Sequence, residues 1–424
     1  MNEKTNNTII LITETYPFGA VAESFLDKEI PYLSKSFDSV IVVPCHYPQE
    51  IERIERKLPD NVSIDISLLN YMLSIQSKKY FLIFNLVPYS ILFFNEISRK
   101  PKKIFNLRAL KKAIYSLYIA ILIKKWVFKF IKERKINLER VIFYTYWLNA
   151  ATLALILTKK KYPQLKLVSR AHGGDLYEER YSPPYIPFQE QTLNKLNHIY
   201  FISNHGKNYL INKYPDIRKK SSVTRLGVYS PNFTTKFSQD GIFRIVSCSY
   251  IVPVKRIHLI ISALKELGLQ RPELKIGWTH IGYGPLFEEI KNHAITALPK
   301  NIHCKFLGFL PNHEVFNYYK NNPIDVFINV SSSEGLPVSI MEAQSCGIPV
   351  IATKVGGIPE IVTEKVGILL NENPSPEEIA KAMEFFIDHP EITQQMRLNS
   401  LENWENNFNA EKNFSEFAKK LKSL

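Results

Sequence analysis

Short apolar runs alternate with amphipathic segments along the first half of the chain. Residues 7–13 (NTIILIT) and 39–44 (SVIVVP) are almost continuously apolar, and residues 25–37 (FLDKEIPYLSKSF) have apolar positions at helical spacing. Apolar runs of about four to eight residues are typical of strands covered on both faces, and helices between such strands make them parallel. The pattern therefore predicts a doubly wound α/β domain.

The alternation stops in a polar segment and then starts again. Residues 229–241 (YSPNFTTKFSQDG) are rich in turn formers and predict a linker. The strand-like runs FRIVSCSY, KIGWTHIGYG, IHCKFLG, DVFINVSSSEG and IPVIAT follow this linker. We therefore predict two Rossmann-like domains facing a cleft, residues 1–228 and 229–402, followed by an amphipathic C-terminal segment, 403–424. Ligands of such sheets bind beyond the carboxyl ends of the strands.

A basic, aromatic-rich insert occupies residues 71–135 of the first domain. Its apolar run Tyr80–Phe94 contains Asn85 and Pro88, and it is too short for a spanning helix, which needs about 20 apolar residues. Two interpretations stay open. The insert is either an interfacial surface that contacts anionic lipid headgroups, or a packed helical region with a solvated basic face.

Composition and charge narrow the class of protein. The chain has 424 residues, of which 45% are hydrophobic and 22% charged, as in a globular protein of two or three domains. The net charge of +14 suggests nucleic acid, but the sequence contains no recognised nucleic-acid-binding module, so we expect no such partner. The four cysteines lie far apart and outside any metal-binding motif. The N-terminus lacks the features of a signal peptide, so a cytoplasmic location is expected.

Two glutamates lie in residues 331–353, SSSEGLPVSIMEAQSCGIPVIAT, where a strand leads into a helix. Pro337 suits the first turn of that helix and Gly347 suits its end. Glu334 then lies at the strand exit and Glu342 about one and a half turns into the helix. A helix N-terminus attracts an anionic group, and carboxylates accept hydrogen bonds from hydroxyls. A nucleotide-sugar carries a diphosphate between two hydroxyl-rich rings and satisfies both needs.

The segment 334–362, EGLPVSIMEAQSCGIPVIATKVGGIPEIV, resembles the signature of the retaining glycosyltransferases of family four. These enzymes have the GT-B fold, which consists of two Rossmann-like domains. The segments SYIVPVKRIHLIISAL, HIGYGP, FLGFLPNHEVFNYYKN, RAHGGDLY and YPFGAVAESFLDKEIPYL extend the resemblance over most of the chain outside the insert. The resemblance implies that the first domain binds the acceptor and the second binds the nucleotide-sugar donor, and that residues 403–424 cross back to the first domain.

The resemblance also implies roles for residues of the second domain. Glu334 corresponds to the glutamate that contacts the transferred sugar, and Gly335 and Leu336 of the same loop are assigned to substrate binding. Glu342 corresponds to the glutamate that holds the ribose hydroxyls. Lys255 corresponds to the lysine that binds the diphosphate.

Two residues of the first domain complete the expected site. His172, in RAHGGDLY, corresponds to a histidine beside the donor sugar, and Gly19 lies in a glycine loop that approaches the phosphates. Glu23, in AESF, is interpreted as an acid at the start of a helix and is left out of the catalytic set.

The segment SYIVPVKR departs from the family pattern at two positions. Family members usually have an arginine five positions before the lysine, where this chain has Tyr250, and a glycine after it, where this chain has Arg256. Two alternatives stay open. Either Arg256 supplies the second cation for the diphosphate, or Tyr250 donates a single hydrogen bond and phosphate binding is weaker.

These assignments predict a retaining, hexosyltransferase-type glycosyltransferase that moves a sugar from a nucleoside-diphosphate sugar to a glycan acceptor. Lys255, Arg256, Glu334 and His172 form the expected catalytic set. The nucleotide-sugar is a co-substrate, and neither a metal ion nor another cofactor is expected. The expected acceptor is a lipid-linked glycan of surface polysaccharide synthesis, met at an anionic membrane surface on the cytoplasmic side. The alternative is a nucleotide-sugar epimerase of related two-domain fold.

Overall fold

The chain folds into two compact units. The first contains Met1–Thr224 together with Phe414–Leu424, and the second contains Arg225–Asn413. Each unit is built on one parallel sheet, and the predicted restart of the strand-helix pattern after the linker corresponds to the second sheet. The computed structural model describes residues 7–19, 23–46, 56–76, 87–104 and 106–424.

In the described residues of the first unit, the sheet has seven strands in the order β3-β2-β1-β4-β5-β6-β7, and all neighbours are parallel. Ile10 and Ile12 of β1 join the hydrophobic cluster on one face, and Ile9 and Leu11 join the cluster on the other. The run is apolar without alternation because both faces of the sheet are covered. The strands are β1 Thr8–Thr13, β2 Ser39–Pro44, β3 Val62–Ile64, β4 Val141–Thr145, β5 Lys166–Ala171, β6 His198–Phe201 and β7 Ser221–Val223.

Helices connect these strands. The helix after β4 begins with a capping box, in which the Asn149 side chain accepts from the Ala151 amide and the Thr152 hydroxyl accepts from the Asn149 amide. The helices are α1 Leu26–Ser36, α2 Ser67–Gln76, α3 Ser90–Arg99, α4 Pro101–Ile104, α5 Leu107–Glu133, α6 Ala150–Thr158, α7 Gln189–Leu193 and α8 Asn204–Lys213.

The second unit has a six-stranded parallel sheet in the order β10-β9-β8-β11-β12-β13. Its strands are β8 Ile242–Cys248, β9 Lys275–Ile281, β10 Ile302–Phe306, β11 Val326–Asn329, β12 Val350–Thr353 and β13 Gly367–Leu370. Its helices are α9 Ile257–Gln270, α10 Phe287–Ala297, α11 Asn312–Asn321, α12 Val338–Ser345, α13 Pro376–Asp388 and α14 Pro390–Asn407. Short 3₁₀ helices in the chain are Val87–Tyr89, Glu178–Arg180, Pro215–Lys220, Pro253–Lys255 and Ile358–Glu360.

The strand order reverses beside the first strand of each sheet, between β1 and β4 and between β8 and β11. At such a switch point the loops that follow the two strands leave on opposite sides and open a crevice at the carboxyl edge. In the second unit these loops begin at Ser249 and Val330. The predicted lysine and glutamate loops therefore start at the switch point of their own sheet.

The described part of the insert is a packed helical region. Asn106 caps α5 by accepting hydrogen bonds from the amides of Arg108 and Ala109. The helix then buries Ala113, Leu117 and further apolar residues in the larger hydrophobic cluster of the first unit. Much of the predicted apolar run Tyr80–Phe94 lies outside the described residues, which resume at residue 87. No helix in the described ranges is long and apolar enough to cross a membrane.

The chain returns to the first unit through its final helix, α15 Ala410–Lys422. Phe417 is fully buried, with its ring centroid 5.6 Å from that of Tyr144 and 5.0 Å from that of Tyr200. Ala418 and Leu421 belong to the same hydrophobic cluster of the first unit. The predicted crossing of the C-terminal segment back to the first domain is confirmed for Phe414–Leu424, whereas residues 403–413 belong to the second unit.

Candidate functional site

The loop between β11 and α12 joins Glu334 to Lys255. The Lys255 amine donates to Glu334 Oε1 at 2.5 Å, and the two side chains are 21% and 10% exposed. Lys255 ends the 3₁₀ turn Pro253–Lys255 after β8. The Ser332 amide donates to the Val254 carbonyl at 2.8 Å, which fixes this turn against the glutamate loop. The structure thus brings together two residues that are 79 positions apart in the chain.

The backbone of the glutamate loop packs against a second glycine-containing loop. The Gly357 amide donates to the Gly335 carbonyl at 2.9 Å. A Cβ atom at Gly356 would lie 1.9 Å from the Glu334 carbonyl oxygen, and Gly356 has φ of +54°. Only glycine fits there, because both the space and the left-handed backbone exclude a side chain. The glycine pair of KVGGIP therefore shapes the loop that carries Glu334.

Three consecutive amides of this loop point to an anion site. Those of Glu334, Gly335 and Leu336 have no hydrogen-bond partner among the described residues. They precede α12, whose first turn adds the positive end of the helix dipole. The Leu336 side chain is buried, so Leu336 offers a ligand its backbone amide rather than its side chain.

Glu342 lies on α12 and is held by a residue that sequence reasoning missed. The Asn312 side-chain amide donates to Glu342 Oε1 at 2.6 Å, and Glu342 is 7% exposed. Cys248, at the end of β8, is close enough that Glu342 adds to the effect of burial, and together they raise the pKa of this thiol to about 12. Asn312 begins α11 in the segment FLPNHEVF. That segment contributed to the family resemblance, but its sequence did not identify Asn312 as a partner of Glu342.

The hydrogen-bond donors of Arg256 are engaged by protein groups. It has φ of +50°, and its guanidinium donates to the carbonyls of Val330 (2.7 Å), Ser331 (2.9 Å) and Glu372 (2.8 Å) and to the side chain of Asn373 (3.1 Å). All three nitrogens of the guanidinium are therefore occupied by protein groups. The alternative that Arg256 supplies the second cation disagrees with this geometry, because its donors already join the loop after β11 to the loop after β13.

Tyr250 lies two residues after β8, and 59% of it is exposed. The backbone next to it is anchored, since the Ile251 amide donates to the Tyr283 carbonyl at 2.9 Å. The second alternative, a hydrogen bond from the Tyr250 hydroxyl to a phosphate, stays a prediction.

His172 lies in the first unit, directly after β5. Its ring centroid is 4.5 Å from those of both Tyr146 and Trp147, and the residue is 6% exposed. Neither ring nitrogen has a hydrogen-bond partner among the described residues, and Nδ1 is 3.9 Å from Asp175 Oδ2. Burial lowers the pKa of His172, and Asp175 offsets part of that effect. The ring is therefore a neutral imidazole with two unused hydrogen-bonding atoms.

Gly19 lies in the loop after β1, and the main anchor of that loop is Glu23. Gly19 has φ of +85°, and its carbonyl accepts two hydrogen bonds from Arg56, at 2.7 and 3.2 Å. The Glu23 carboxylate accepts from the amides of residues 14, 15 and 16, at 2.9, 2.8 and 2.7 Å, and from the Trp147 indole at 2.7 Å. Glu23 precedes α1, which begins at Leu26, and it binds the backbone of the loop rather than that helix.

The expected site residues are thus divided between the units. Gly19 and His172 belong to the first, and the other seven belong to the second. Within the second unit, contacts of Lys255, Arg256 and Ser332 tie the turn after β8 to the glutamate loop. The arrangement offers one amine, a set of unpartnered amides and two nearly buried carboxylates. These groups can hold an anion beside hydroxyl groups.

Comparisons with known proteins agree with this description. Residues 234–403 match the family model described as Glycosyl transferases group 1. The chain is 28% identical over 238 residues to the amylovoran biosynthesis glycosyltransferase AmsK of Erwinia amylovora, covering 53% of this chain and 56% of that protein. It is 33% identical over 156 residues to the sulfoquinovosyl transferase SQD2 of Arabidopsis thaliana, covering 34% and 29%. The chain thus spans about half the length, or less, of these curated relatives.

Solved structures match over the whole chain. Anabaena Alr3699/HepE in complex with UDP has a TM-score of 0.65 and 18% sequence identity, covering 99% of this chain and 100% of that one. The structure of TarM has a TM-score of 0.69 and 13% identity, covering all of both chains. The predicted fold class, two Rossmann-like domains of the GT-B type, is confirmed.

Proposed function

We propose that the protein is a retaining glycosyltransferase that moves a sugar from a nucleoside-diphosphate sugar to a glycan acceptor. The observation that carries this proposal is the contact between Lys255 and Glu334 beside unpartnered amides at the start of α12. A named relative acts in amylovoran biosynthesis, and the related Anabaena structure was solved with UDP. Both support the same class of reaction.

The donor diphosphate fits the positive groups of the second unit. Cleavage of the bond to the anomeric carbon leaves negative charge on the departing phosphate and positive charge on the sugar. A lysine amine has three N–H donors, and Lys255 uses one of them on Glu334. The others, with the amides of the glutamate loop, stabilise the leaving phosphate. One donor of this kind typically contributes about 3 to 4 kcal/mol to the transition state.

The two glutamates bind the hydroxyl groups on either side of the diphosphate. Glu334 keeps acceptor positions for hydroxyls of the transferred sugar. Glu342, with Asn312 on one oxygen, is oriented to accept from the ribose hydroxyls. A carboxylate has about four acceptor positions, so each can serve a protein donor and a substrate hydroxyl together.

Retention is assigned to attack on the same face of the sugar that the phosphate leaves. The departing phosphate takes the proton of the acceptor hydroxyl, so the proposal needs no protein nucleophile. Lys255 and the amides provide positive charge at the diphosphate, and we keep the expectation of a metal-independent enzyme without another cofactor. We keep the expected role of His172 toward the transferred sugar, because its neutral ring can hydrogen bond to a hydroxyl.

The acceptor is proposed to be a lipid-linked glycan of polysaccharide synthesis, met at the cytoplasmic face of a membrane. Support comes from the exposed apolar side chains of the insert, namely Val87, Ile91, Phe94 and Leu107. The basic side chains nearby contribute less than their number suggests, because the Lys103 amine contacts Glu178 and the Lys112 amine donates to the Tyr185 carbonyl. The proposed contact with the membrane therefore depends mainly on the exposed apolar residues.

The reaction is tested by incubation with UDP-sugars, with and without a lipid-linked acceptor, followed by analysis of nucleotides and sugars. Transfer with release of UDP only when the acceptor is present is the expected result. A converted sugar nucleotide formed without acceptor would identify an epimerase and contradict the proposal.

The membrane surface is tested separately, by sedimentation with vesicles rich in anionic lipid. Ile91→Asp and Phe94→Asp should reduce the bound fraction, whereas Leu398→Asp should not. Leu398 is a matched control because it is exposed but belongs to the second unit. Equal losses for all three variants, or no binding by the wild type, would favour a soluble acceptor.

A further inference from the structure

Residues 172–188, the histidine loop, connect β5 to α7 and begin with His172. Helix α3 of the insert contacts the far end of this loop, where Arg99 pairs with Glu190 of α7 at 2.7 Å. The Leu92 carbonyl of α3 also accepts from the Gln191 side chain at 3.4 Å. All these residues belong to the first unit. The insert and His172 thus meet opposite ends of one segment of chain.

Glu96 of α3 holds the end of the histidine loop. Its carboxylate is fully buried, and Oε1 accepts from the Tyr185 hydroxyl at 2.9 Å and from the Phe188 amide at 3.1 Å. Oε2 accepts from the Gln191 side-chain amide at 3.0 Å. Burial and the neighbouring Glu96 raise the pKa of Tyr185, so its hydroxyl is neutral and donates. One carboxylate therefore joins the end of the loop to α7.

The backbone where the loop enters α7 depends on this carboxylate. Phe188 is fully buried and has φ of +55°, a left-handed conformation that residues other than glycine rarely adopt. Such a conformation persists only where the surrounding structure holds it. Helix α7 begins without a side-chain cap, and the Phe188 amide donates to Glu96 instead. The Lys100 amine, 3.7 Å from Oε1, offsets the buried charge of Glu96.

The start of α7 is hydrogen-bonded back to the beginning of the histidine loop. The Gln189 side chain is buried, and its amide donates to the Leu176 carbonyl at 3.2 Å. The adjacent Asp175 accepts from the His172 amide at 2.7 Å and from the Leu148 amide at 2.9 Å. A contiguous set of contacts therefore leads from Glu96 to the backbone of His172.

We infer that Glu96 is a positioning residue for His172. It fixes the entry to α7 and, through Gln189 and Asp175, the place of the imidazole ring beside its two aromatic neighbours. The catalytic value of this placement rests on the proposed function. A side chain that acts on a substrate must be held to within about 0.5 Å of its productive position. Because α3 belongs to the insert, which lies outside the family resemblance, this support is a property of this chain.

Turnover tests the inference with Glu96→Ala against Glu96→Gln, using the UDP-sugar and lipid-linked acceptor that support transfer by the wild type. Glu96→Ala removes every acceptor and should lower kcat by about tenfold or more. Glu96→Gln keeps one oxygen for Tyr185 and Phe188. A rotated Gln191 can offer its Oε1, which has no partner among the described residues, to the new amide. Glu96→Gln should therefore retain at least a third of the wild-type kcat, and equal losses in the two variants would overturn the assignment.

Arg99→Ala is the matched control, because it removes another contact between α3 and α7 and leaves Glu96 in place. It should keep kcat within twofold of the wild type. Calorimetry with UDP should also give an affinity within twofold for Glu96→Ala, since Lys255 and Glu334 belong to the second unit. Equal losses of kcat in Arg99→Ala and Glu96→Ala, or a parallel loss of UDP affinity, would contradict the positioning role.

Nuclear magnetic resonance of ring-labelled histidine tests the placement without turnover. The His172 ring centroid is 4.5 Å from those of Tyr146 and Trp147, so the ring currents of both make its proton shift depend on its place. Loss of the signal in His172→Gln identifies it. Glu96→Ala should move this signal, whereas Glu96→Gln and Arg99→Ala should leave it at the wild-type position. An unmoved signal in Glu96→Ala would overturn the inference.

Tyr185→Phe takes the place of Glu96→Ala if that variant unfolds below the assay temperature. It removes one donor to Glu96 and keeps the buried ring, so it should move the His172 signal and lower kcat by about threefold to fivefold. An unchanged signal with unchanged kcat would overturn the inference. A wild type without transfer activity, but with a His172 signal that depends on Glu96, would contradict the proposed function and support the positioning role.

Discussion

The loops at the carboxyl edges of the two sheets use their charged side chains in different ways. In the second unit, Lys255 contacts Glu334, and the neighbouring amides have no partner among the described residues. In the first unit, Glu23 and Asp175 accept hydrogen bonds from the backbone amides of the corresponding loops. A carboxylate that caps amides cancels their positive potential, whereas a lysine beside unpartnered amides adds to it. The edge of the second unit is thus suited to an anion, whereas the carboxylates at the edge of the first unit hold the backbone of their own loops.

The largest expected effect comes from removal of the cap in the first unit. Glu23→Ala leaves three amides and the Trp147 indole without their acceptor, and hydrogen bonds to a charged group contribute about 1.5 to 3 kcal/mol each. Because water replaces part of the loss, we expect the free energy of unfolding to fall by about 4 kcal/mol. Urea denaturation measures this. Glu139→Ala, at an exposed position, is the control. Equal stability of Glu23→Ala and Glu139→Ala would show that Glu23 does not stabilise the loop of the first unit.

The next largest effect is expected at the lysine of the second unit. Lys255→Met should lower kcat by about a hundredfold to a thousandfold, corresponding to roughly 3 to 4 kcal/mol of transition-state stabilisation. Turnover of a UDP-sugar with acceptor is the measurement. Lys275→Met, at an exposed position at the start of β9, should retain activity. If Lys255→Met kept more than a third of the wild-type kcat, Lys255 would not be the group that stabilises the departing phosphate.

One histidine in each unit is expected to make the free energy of unfolding depend on pH, in opposite directions. His280, in β9, donates from Nε2 to the Ser249 carbonyl, so Nδ1 of the neutral ring accepts from the Ser247 hydroxyl. Burial lowers the pKa of His280 to about 4. An unfolded histidine has a pKa of about 6.5, so below that pH the unfolded state binds a proton that the folded state does not. Stability should therefore fall by about 3 kcal/mol as the pH falls from 6.5 to 4.

His46 of the first unit is expected to change the free energy of unfolding in the opposite direction with pH. Its hydrogen bond with Glu14 raises its pKa. The stabilisation from His46 is therefore fully present below the unfolded pKa and is lost as the pH rises through the folded pKa. Denaturation of wild type, His280→Gln and His46→Gln at a series of pH values measures both. A pH profile that His280→Gln does not flatten on the acid side would contradict the prediction.

The smallest effect is expected at Tyr250. Since the Arg256 guanidinium is held by Val330, Ser331 and Glu372, Tyr250→Arg would introduce the cation that the family usually has at this position. The side chain is exposed, which weakens its electrostatic contribution, so UDP binding should tighten by no more than about tenfold. Calorimetry with UDP measures the change, and Tyr250→Phe tests the hydroxyl alone. Much weaker binding by Tyr250→Arg would show that the pocket depends on the tyrosine.

The fold was predictable because local patterns determine it. Both sheets are covered on two faces, so their strands are nearly continuous apolar runs, as in 7–13 and 39–44, with helical spacing between them. The packing of the insert was less clear from sequence. Its lysines bury their stems and hydrogen bond through their amines, as Lys124 does with the Tyr89 hydroxyl, so a basic helix face gave no sign of packing.

Residues of the site could be predicted from the sequence only where they belong to a recognisable motif. Glu334, Glu342 and Lys255 lie in segments that resemble a known signature. Asn312 and Glu23 act through contacts with residues 30 and 124 positions away, and no periodicity or local spacing reveals such contacts. The role of Arg256 depends on its left-handed backbone and on carbonyls of two distant loops, which the sequence does not display.

The return of the final helix to the first unit affects how the protein is made. Phe414, Phe417 and Leu421 are fully buried in the first unit, yet they follow Thr224 only after the whole second unit. At roughly 5 to 20 residues per second, a ribosome needs about ten to forty seconds to synthesise the intervening segment. During that time the rings of Tyr144 and Tyr200 lack their partner Phe417. The first unit to be translated is therefore the last to be completed, and a nascent chain would expose this apolar surface to chaperones while the second unit already folds.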